Sequence, residues 1–246
     1  MGRAHEVRAA AMAKTAAIKS KLYSRYGKEL YIAAKNGVPD PEMNLALKQK
    51  IKEAKANQVP TDVINRAIEK AKGGGSESYD SLRYEGFGPG AATIIIDCLT
   101  DNTNRTVAAM NQCFNKSRCK LGVKGSVSFN YDNYGVLEFP FDDEEKILDT
   151  LLEKDVNVAD VSGEEGYVRV YTDPTDLHNA QEAIEELIPN VEFETCGLKM
   201  VPREMVKLTN DDDKMLWNRL LNLLDEVDDV QEIFHNVEED EEEEEA

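Results

Sequence analysis

The chain has 246 residues, 41% of them hydrophobic and 31% charged, the balance of a globular protein with room for two or three domains. Its net charge of −19, taken alone, argues against nucleic acid or anionic membrane as a partner. That average conceals a division: residues 1–129 hold 21 Lys and Arg against 12 Asp and Glu, whereas residues 130–246 hold 8 against 36, so the first half is the end suited to polyanions.

Residues 10–36 contain no proline, and Ile18, Leu22, Tyr26 and Leu30 recur every four residues, which sets them on one helix face. Gly27 interrupts that helix at a cost of about 1 kcal/mol, and Gly37 is a natural stop. After Pro39-Asp40-Pro41, the spacing of Met43, Leu47, Ile51 and Ala54 predicts a second helix. Val59-Pro60-Thr61-Asp62 predicts the start of a third, capped by Thr61 and carrying Ile64, Ala67, Ile68 and Ala71. GGGSES from Gly73 closes this small bundle as a linker.

The period then changes. Leu82–Phe87 and Ala92–Leu99 read as strands joined through Gly88-Pro89-Gly90, and Val107, Met110 and Phe114 mark a helix. GSVSFNYDNYGVLEF gives two alternating runs around Asp132-Asn133, either a hairpin or a passage from one sheet into another. Beyond it the pattern predicts a helix at Glu144–Glu153, strands near Val156–Val161 and Tyr167–Thr172, a helix at Pro174–Leu187 and a strand at Val191–Val201. The order β-α-β-β-α-β from Tyr134 to Val201 is that of a split βαβ, or ferredoxin-like, unit. A helix at Asp212–Leu224 and a strand at Val230–Val237 follow after that unit has closed, so they complete the sheet begun at Leu82 and the unit between is an insertion. EEDEEEEEA at the end is a charge run that reads as a disordered tail.

The expected class is therefore α+β: a small N-terminal helical bundle followed by two α+β domains, the third inserted into the second. The expected boundaries are a basic arm at 1–20, a helical domain at 21–77, a discontinuous α+β domain at 78–131 plus 205–237, a ferredoxin-like insert at 132–204 and an acidic tail at 238–246. No apolar run reaches the ~18 residues of a membrane span, so no membrane partner is expected. Cys98, Cys113, Cys119 and Cys196 form no C-x-x-C pair and read as reduced thiols of a cytoplasmic protein. A basic, nearly acid-free start also allows a mitochondrial transit peptide as a minor alternative.

Catalytic patterns are few. GFGPG at 86–90 lacks the spacing of a dinucleotide fingerprint or a P-loop, and Pro89 has no N–H for an anion, so a tight turn between strands is the better reading. His5, His178 and His235 have no metal-ligand spacing, so neither metal nor cofactor is expected. Asp142–Glu145 and Asp211–Asp213 precede helices, where negative charge suits the dipole.

Basic residues carry the stronger signal. KSKLYSRYGKELY interleaves Lys19, Lys21, Arg25 and Lys28 with Tyr23, Tyr26 and Tyr31, and Lys14 and Lys35 flank it. Such charge binds phosphate, and tyrosines can stack on unpaired bases, although Tyr26 also falls on the apolar stripe. Lys116, Arg118, Lys120 and Lys124 form a second cluster. Arg105 sits in the first turn of a helix that Asn102, Thr103 or Asn104 caps, the wrong end for a cation. It is either solvated or paired with Asp101, or it lines an anion site with the helix N–H groups.

KIKEAKANQVPTDVINRAIEKAKG, RYEGFGPG, CLTDNTNRT, LGVKGSVSF and DVQEIFHNV, in this order, resemble the YebC/PmpR family, and most nearly its YeeN-type branch, over residues 1–237. The resemblance implies the same three-domain plan and a DNA-binding transcriptional regulator. Related members act as translational activators or ribosome-associated factors that relieve stalling at proline-rich stretches, and none is known as an enzyme. Two segments depart from the family: RAHEVRAAA replaces a Lys-Trp-Ala-Asn start, and Arg118-Cys119-Lys120 replaces a glycine-rich turn. The combined expectation is a non-enzymatic, nucleic-acid-binding regulator, favoured as a monomer, with duplex DNA and ribosomal RNA both open as targets. A phosphate-handling enzyme centred on Gly86–Gly90 and Arg105 is the remoter alternative.

Overall fold

The computed structural model describes residues 3–74, 78–164 and 166–238, with side chains from residue 19 onward. By its internal contacts the chain divides into two compact units, one of Met1–Glu77, Val136–Tyr171 and Asp176–Gly197, the other of Ser78–Gly135, Thr172–Thr175 and Leu198–Ala246. Of the expected acidic tail at 238–246, residues 239–246 lie outside the described residues.

In the first unit, helix α1 (Arg3–Lys35) packs on α2 (Leu45–Ala56) and α3 (Thr61–Lys72) and buries Tyr26, Leu30, Tyr31 and Ala34. Two helix starts differ from expectation. Asn44 caps α2 by accepting from the Leu47 amide at 3.1 Å, while its Nδ2 donates to the carbonyls of Ala33 and Val38 at 2.8 and 3.0 Å. Met43 therefore lies before the helix and stands 73% exposed instead of joining the stripe. Thr61 is the first residue of α3 and not its cap; Pro60 holds the cap position, and no side chain accepts there.

The same unit contains helices α5 (Glu144–Glu153) and α6 (Leu177–Leu187) against a sheet of β4 (Tyr131–Pro140), β5 (Val158–Glu164), β6 (Tyr167–Thr172) and β7 (Thr195–Pro202). The strand order β5-β6-β4-β7, antiparallel, is that of the ferredoxin-like unit read from the sequence. Asp143 caps α5 through the Lys146 amide at 3.0 Å, and Glu144 and Glu145 suit its first turn. Ile147 and Leu151 carry that helix onto Leu137, Phe139, Val168 and Val170 of the sheet.

The second unit is a four-stranded antiparallel sheet in the order β3-β1-β2-β8, built from β1 (Asp80–Phe87), β2 (Thr93–Thr100), β3 (Lys120–Leu121) and β8 (Val230–His235), with α4 (Thr103–Lys116) and α7 (Asp211–Asp225). Strand β2 is apolar along nearly its whole length because both its faces are covered. Ile94, Ile96 and Cys98 pack with Met110, Phe114, Trp217 and Leu220, and Ile95 packs with Val127, Tyr131, Met200 and Phe234. β8 pairs with β2 from Ile94↔His235 to Cys98↔Val230, so the chain does return to its first sheet after the insertion.

Of the two readings of Asp132-Asn133, the hairpin does not form and the passage holds: the chain leaves the sheet of β3 and enters that of β4. Tyr131–Pro140 is one continuous strand, preceded by a short 3-10 turn at Ser128–Asn130. Residues 125–130 form no strand: three of their amides go to one side chain, and those of Ser126 and Asn130 close local turns on the Val123 and Val127 carbonyls. Glu85 on β1 is 2% exposed, and its carboxylate accepts from the amides of Gly125 at 2.7 Å, Val127 at 2.7 Å and Ser128 at 2.9 Å.

Candidate nucleic-acid interface

Between Asp101 and Asp132 lie thirty consecutive residues without one carboxylate side chain, in a chain where 48 of 246 residues are Asp or Glu. This stretch is α4, β3 and the loop that follows. α4 starts at Thr103 because Asn102 caps it, its Oδ1 accepting the Arg105 amide at 3.0 Å. Of the three candidate caps, then, Asn102 acts and Asn104 is an exposed first-turn residue. The buried side of the helix is Thr106, Met110, Cys113 and Phe114. The other side presents Asn104, Asn111, Gln112 and Asn115 to solvent, amides that can hydrogen-bond a polar partner without adding charge.

Lys116, Arg118, Lys120 and Lys124 are all exposed. Arg118 takes a left-handed backbone with φ 53°, closing the turn after α4 in a conformation that favours glycine. The loop beyond is fixed from β1. The Gly122 amide donates to the Glu85 carbonyl at 2.8 Å, and a Cβ on Gly122 would meet the Ser126 Oγ at 2.3 Å and the Glu85 carbonyl oxygen at 3.2 Å. Burial, the largest single influence, pushes the Glu85 carboxyl up, but the three amide bonds outweigh it and hold it below its ordinary value. At the far end, Asp132 grips Arg203 with both oxygens at 2.8–3.1 Å. The first acid after the gap is thus already matched by a cation.

Of the readings left open for Arg105, the structure shows the pairing with Asp101 and adds Asp229. Its guanidinium donates to Asp229 at 2.7 and 3.2 Å, to Asp101 at 2.8 Å and to the Thr100 hydroxyl at 3.3 Å. Thr106 adds a bond to Asp229 at 2.9 Å. Two carboxylates therefore engage Nε and Nη2, the edge that faces Asp229. Burial raises the Asp229 carboxyl, and the hydrogen bonds from Arg105 and Thr106 more than reverse it.

The remaining candidates belong to the first unit. The Lys14 side chain lies outside the described residues. Lys19 and Lys35 are exposed, and Lys21, Arg25 and Lys28 are half-buried. Of the three expected stacking tyrosines, Tyr26 and Tyr31 are 1% and 2% exposed, the Tyr26 hydroxyl donates to Glu53 at 3.2 Å, and Tyr23 is half-buried. Several cations of this region serve the fold. Arg25 lies 5.4 Å from the Tyr26 ring and bonds Glu29 at 3.0 Å, and Lys35 and Lys70 each lie 5.5 Å from the Tyr31 ring.

GFGPG is the turn of the β1–β2 hairpin, closed by the Gly88 amide on the Ala92 carbonyl at 2.8 Å. A Cβ at Gly86 would strike the Phe114 ring at 2.3 Å. The glycines there make room for aromatic packing and leave no cradle for phosphate. Sequence reasoning named the four basic residues of the loop but missed Glu85, Val123 and Phe129. The unbroken absence of acid from 102 to 131 is the signal that points to them.

The class is an α+β protein with an N-terminal helical region and two antiparallel four-stranded sheets, the second inserted into the first. Residues 3–74 match the TACO1/YebC protein N-terminal domain, and residues 79–237 match the TACO1/YebC second and third domain; the chain belongs to this family. Similar proteins include a probable transcriptional regulatory protein of Acholeplasma laidlawii, 48% identical over 96% of this chain and 98% of its own length. One of Vibrio parahaemolyticus is 47% identical over 97% of this chain and 100% of its own. A conserved hypothetical protein from Aquifex aeolicus has a similar crystal structure, with a TM-score of 0.75 at 32% identity, covering 92% of this chain and 93% of that one.

Proposed function

We propose that this chain is a cytoplasmic, non-enzymatic regulator of gene expression that binds nucleic acid through the acid-free stretch 102–131. The observation that carries the reading is the concentration of Lys116, Arg118, Lys120 and Lys124, all exposed, in the longest stretch of a net-negative chain that has no carboxylate. Positive charge so isolated from its own acids attracts a polyanion locally although the whole molecule repels it. The regulator names of the relatives agree with this reading. A phosphate-handling enzyme is disfavoured because Gly86 packs against Phe114 and Arg105 is held by Asp229 and Asp101.

The test is a salt series. Replacing Lys116, Arg118, Lys120 and Lys124 by Ala should weaken binding to a DNA duplex and lower the log–log salt slope by about 0.9 for each phosphate no longer neutralised. A slope equal to that of the unaltered protein would overturn the assignment.

A further inference from the structure

We propose that the loop Gly122–Phe129 is a stacking platform for an unpaired base, with Phe129 as the ring and Lys120 and Lys124 as its phosphate partners. This rests on the nucleic-acid reading above and assigns its partner as a single strand. Phe129 is 64% exposed, although the residues two places before and after it, Val127 and Tyr131, are 0% and 4% exposed in one core cluster. The Tyr131 hydroxyl adds a bond to the Thr93 carbonyl at 3.0 Å. Between these two anchors Phe129 sits in the 3-10 turn Ser128–Asn130, which breaks the extended chain and leaves its side chain exposed.

The other side of the loop is as firmly set. One buried carboxylate, Glu85, holds the amides of Gly125, Val127 and Ser128, so Lys124 and Phe129 each stand one residue outside the clamp. Val123 beside Lys124 is 77% exposed. An aromatic ring, an apolar side chain and Lys124 thus share a short, braced, acid-free loop, and Lys120 on β3 lies two residues before it.

That combination suits a single strand better than a duplex. Paired bases are stacked on their neighbours and offer edges, whereas an unpaired base offers a face that a phenyl ring can cover. A phenyl ring has no group to read an edge. A platform already held in place loses little freedom on binding. Two of the three tyrosines of α1, Tyr26 and Tyr31, are buried in the helical bundle and cannot supply this contact.

The experiment uses the full chain with a labelled short oligouridylate and a DNA duplex of the same length at low salt, followed by fluorescence anisotropy. Phe129→Ala should weaken the oligouridylate about 5- to 150-fold, the range for loss of one stacked base, and leave the duplex unchanged. Phe129→Trp should keep the affinity, and its emission should be quenched on binding above the constant signal of buried Trp217. Unchanged oligouridylate affinity in Phe129→Ala, an equal loss on the duplex, or unquenched emission in Phe129→Trp would each overturn the platform. If Phe129→Ala binds like the unaltered protein while the four-fold Lys/Arg variant does not, the nucleic-acid reading stands and the stacking inference falls. If the unaltered protein binds neither probe, both fall.

Discussion

Arg105 Nη2 stands 2.7 Å from Asp229 Oδ1, linking the first turn of α4 to the residue before β8 across 124 positions of sequence. A cation at a helix start opposes the helix dipole. Here two carboxylates, Asp229 and Asp101, supply the offsetting charge. The contact closes the second unit around its insertion, because α4 precedes the inserted segment and β8 follows it.

Breaking that contact should therefore cost stability. Asp229 is 5% exposed and also receives the Thr106 hydroxyl. Asp229→Ala should lower the unfolding free energy on the order of 1.5–3 kcal/mol, the scale of hydrogen bonds to a charged group. Arg105→Ala should destabilise the unaltered protein but do little in the Asp229→Ala background. Urea melts of the four proteins measure the coupling, and fully additive effects would show that the pair is not coupled. The Asp229 carboxyl is held below 3.8, so its stabilisation is complete above that pH and is lost as pH falls through the folded value. Asp229→Ala should flatten the acid limb of the stability profile.

The cap of α4 separates two neighbouring asparagines. Asn102→Ala removes the acceptor of the Arg105 amide and should cost roughly 0.5–2 kcal/mol. Asn104 is exposed in the first turn and caps nothing, so Asn104→Ala should be close to neutral. Paired thermal melts decide the matter, and equal losses would place the cap elsewhere.

These contrasts mark where the sequence is legible. Elements set by their own periodicity came through: Glu144–Glu153 and Tyr167–Thr172 have the bounds that their apolar spacing predicts. So did the return of Val230–His235 to the first sheet, which follows from counting elements. What failed depends on partners distant in sequence. Residues 125–128 alternate like a strand, but Glu85, some forty positions earlier, takes their amides. Arg105 looks available until Asp229 meets it, and Tyr31 looks available until α3 covers its helix. The site was legible in its lysines because charge clusters locally. Its phenylalanine was not, since an exposed ring cannot be told from a buried one by spacing alone.

Glu85→Gln should loosen the loop while leaving the sheet in place. The amide nitrogen would face at least one backbone N–H where an oxygen now accepts, at a cost of about 1–3 kcal/mol. Hydrogen exchange at Gly125, Val127 and Ser128 should quicken relative to Ile94–Ile96 in β2. Glu85 is held below 4.5 in the folded protein. Its contribution is therefore present above that pH and is lost as pH falls through the folded value, and the Gln variant should lack this part of the acid response. Unchanged exchange at the three amides would mean that the clamp does not brace the loop.

The basic residues of α1 offer the last discrimination, between a helical unit that touches nucleic acid and one whose charge serves its own packing. Arg25 is committed to Glu29 and to the Tyr26 ring. Arg25→Glu would place like charges four residues apart on one helix, so its effect on binding would be confounded by stability. Alanine at Lys19, Lys21 and Lys28 introduces no such like-charge pair. Replacing these three by Ala should lower the salt slope by about 0.9 for each one that meets a phosphate, and by no more than about 2.7 in all. If the helical unit binds, the drop adds to that of the Lys116, Arg118, Lys120 and Lys124 variant, because the two sets lie in different units of the fold. A slope that stays fixed in the α1 variant, beside a clear drop in the loop variant, would assign recognition to the acid-free stretch alone and leave α1 as scaffold.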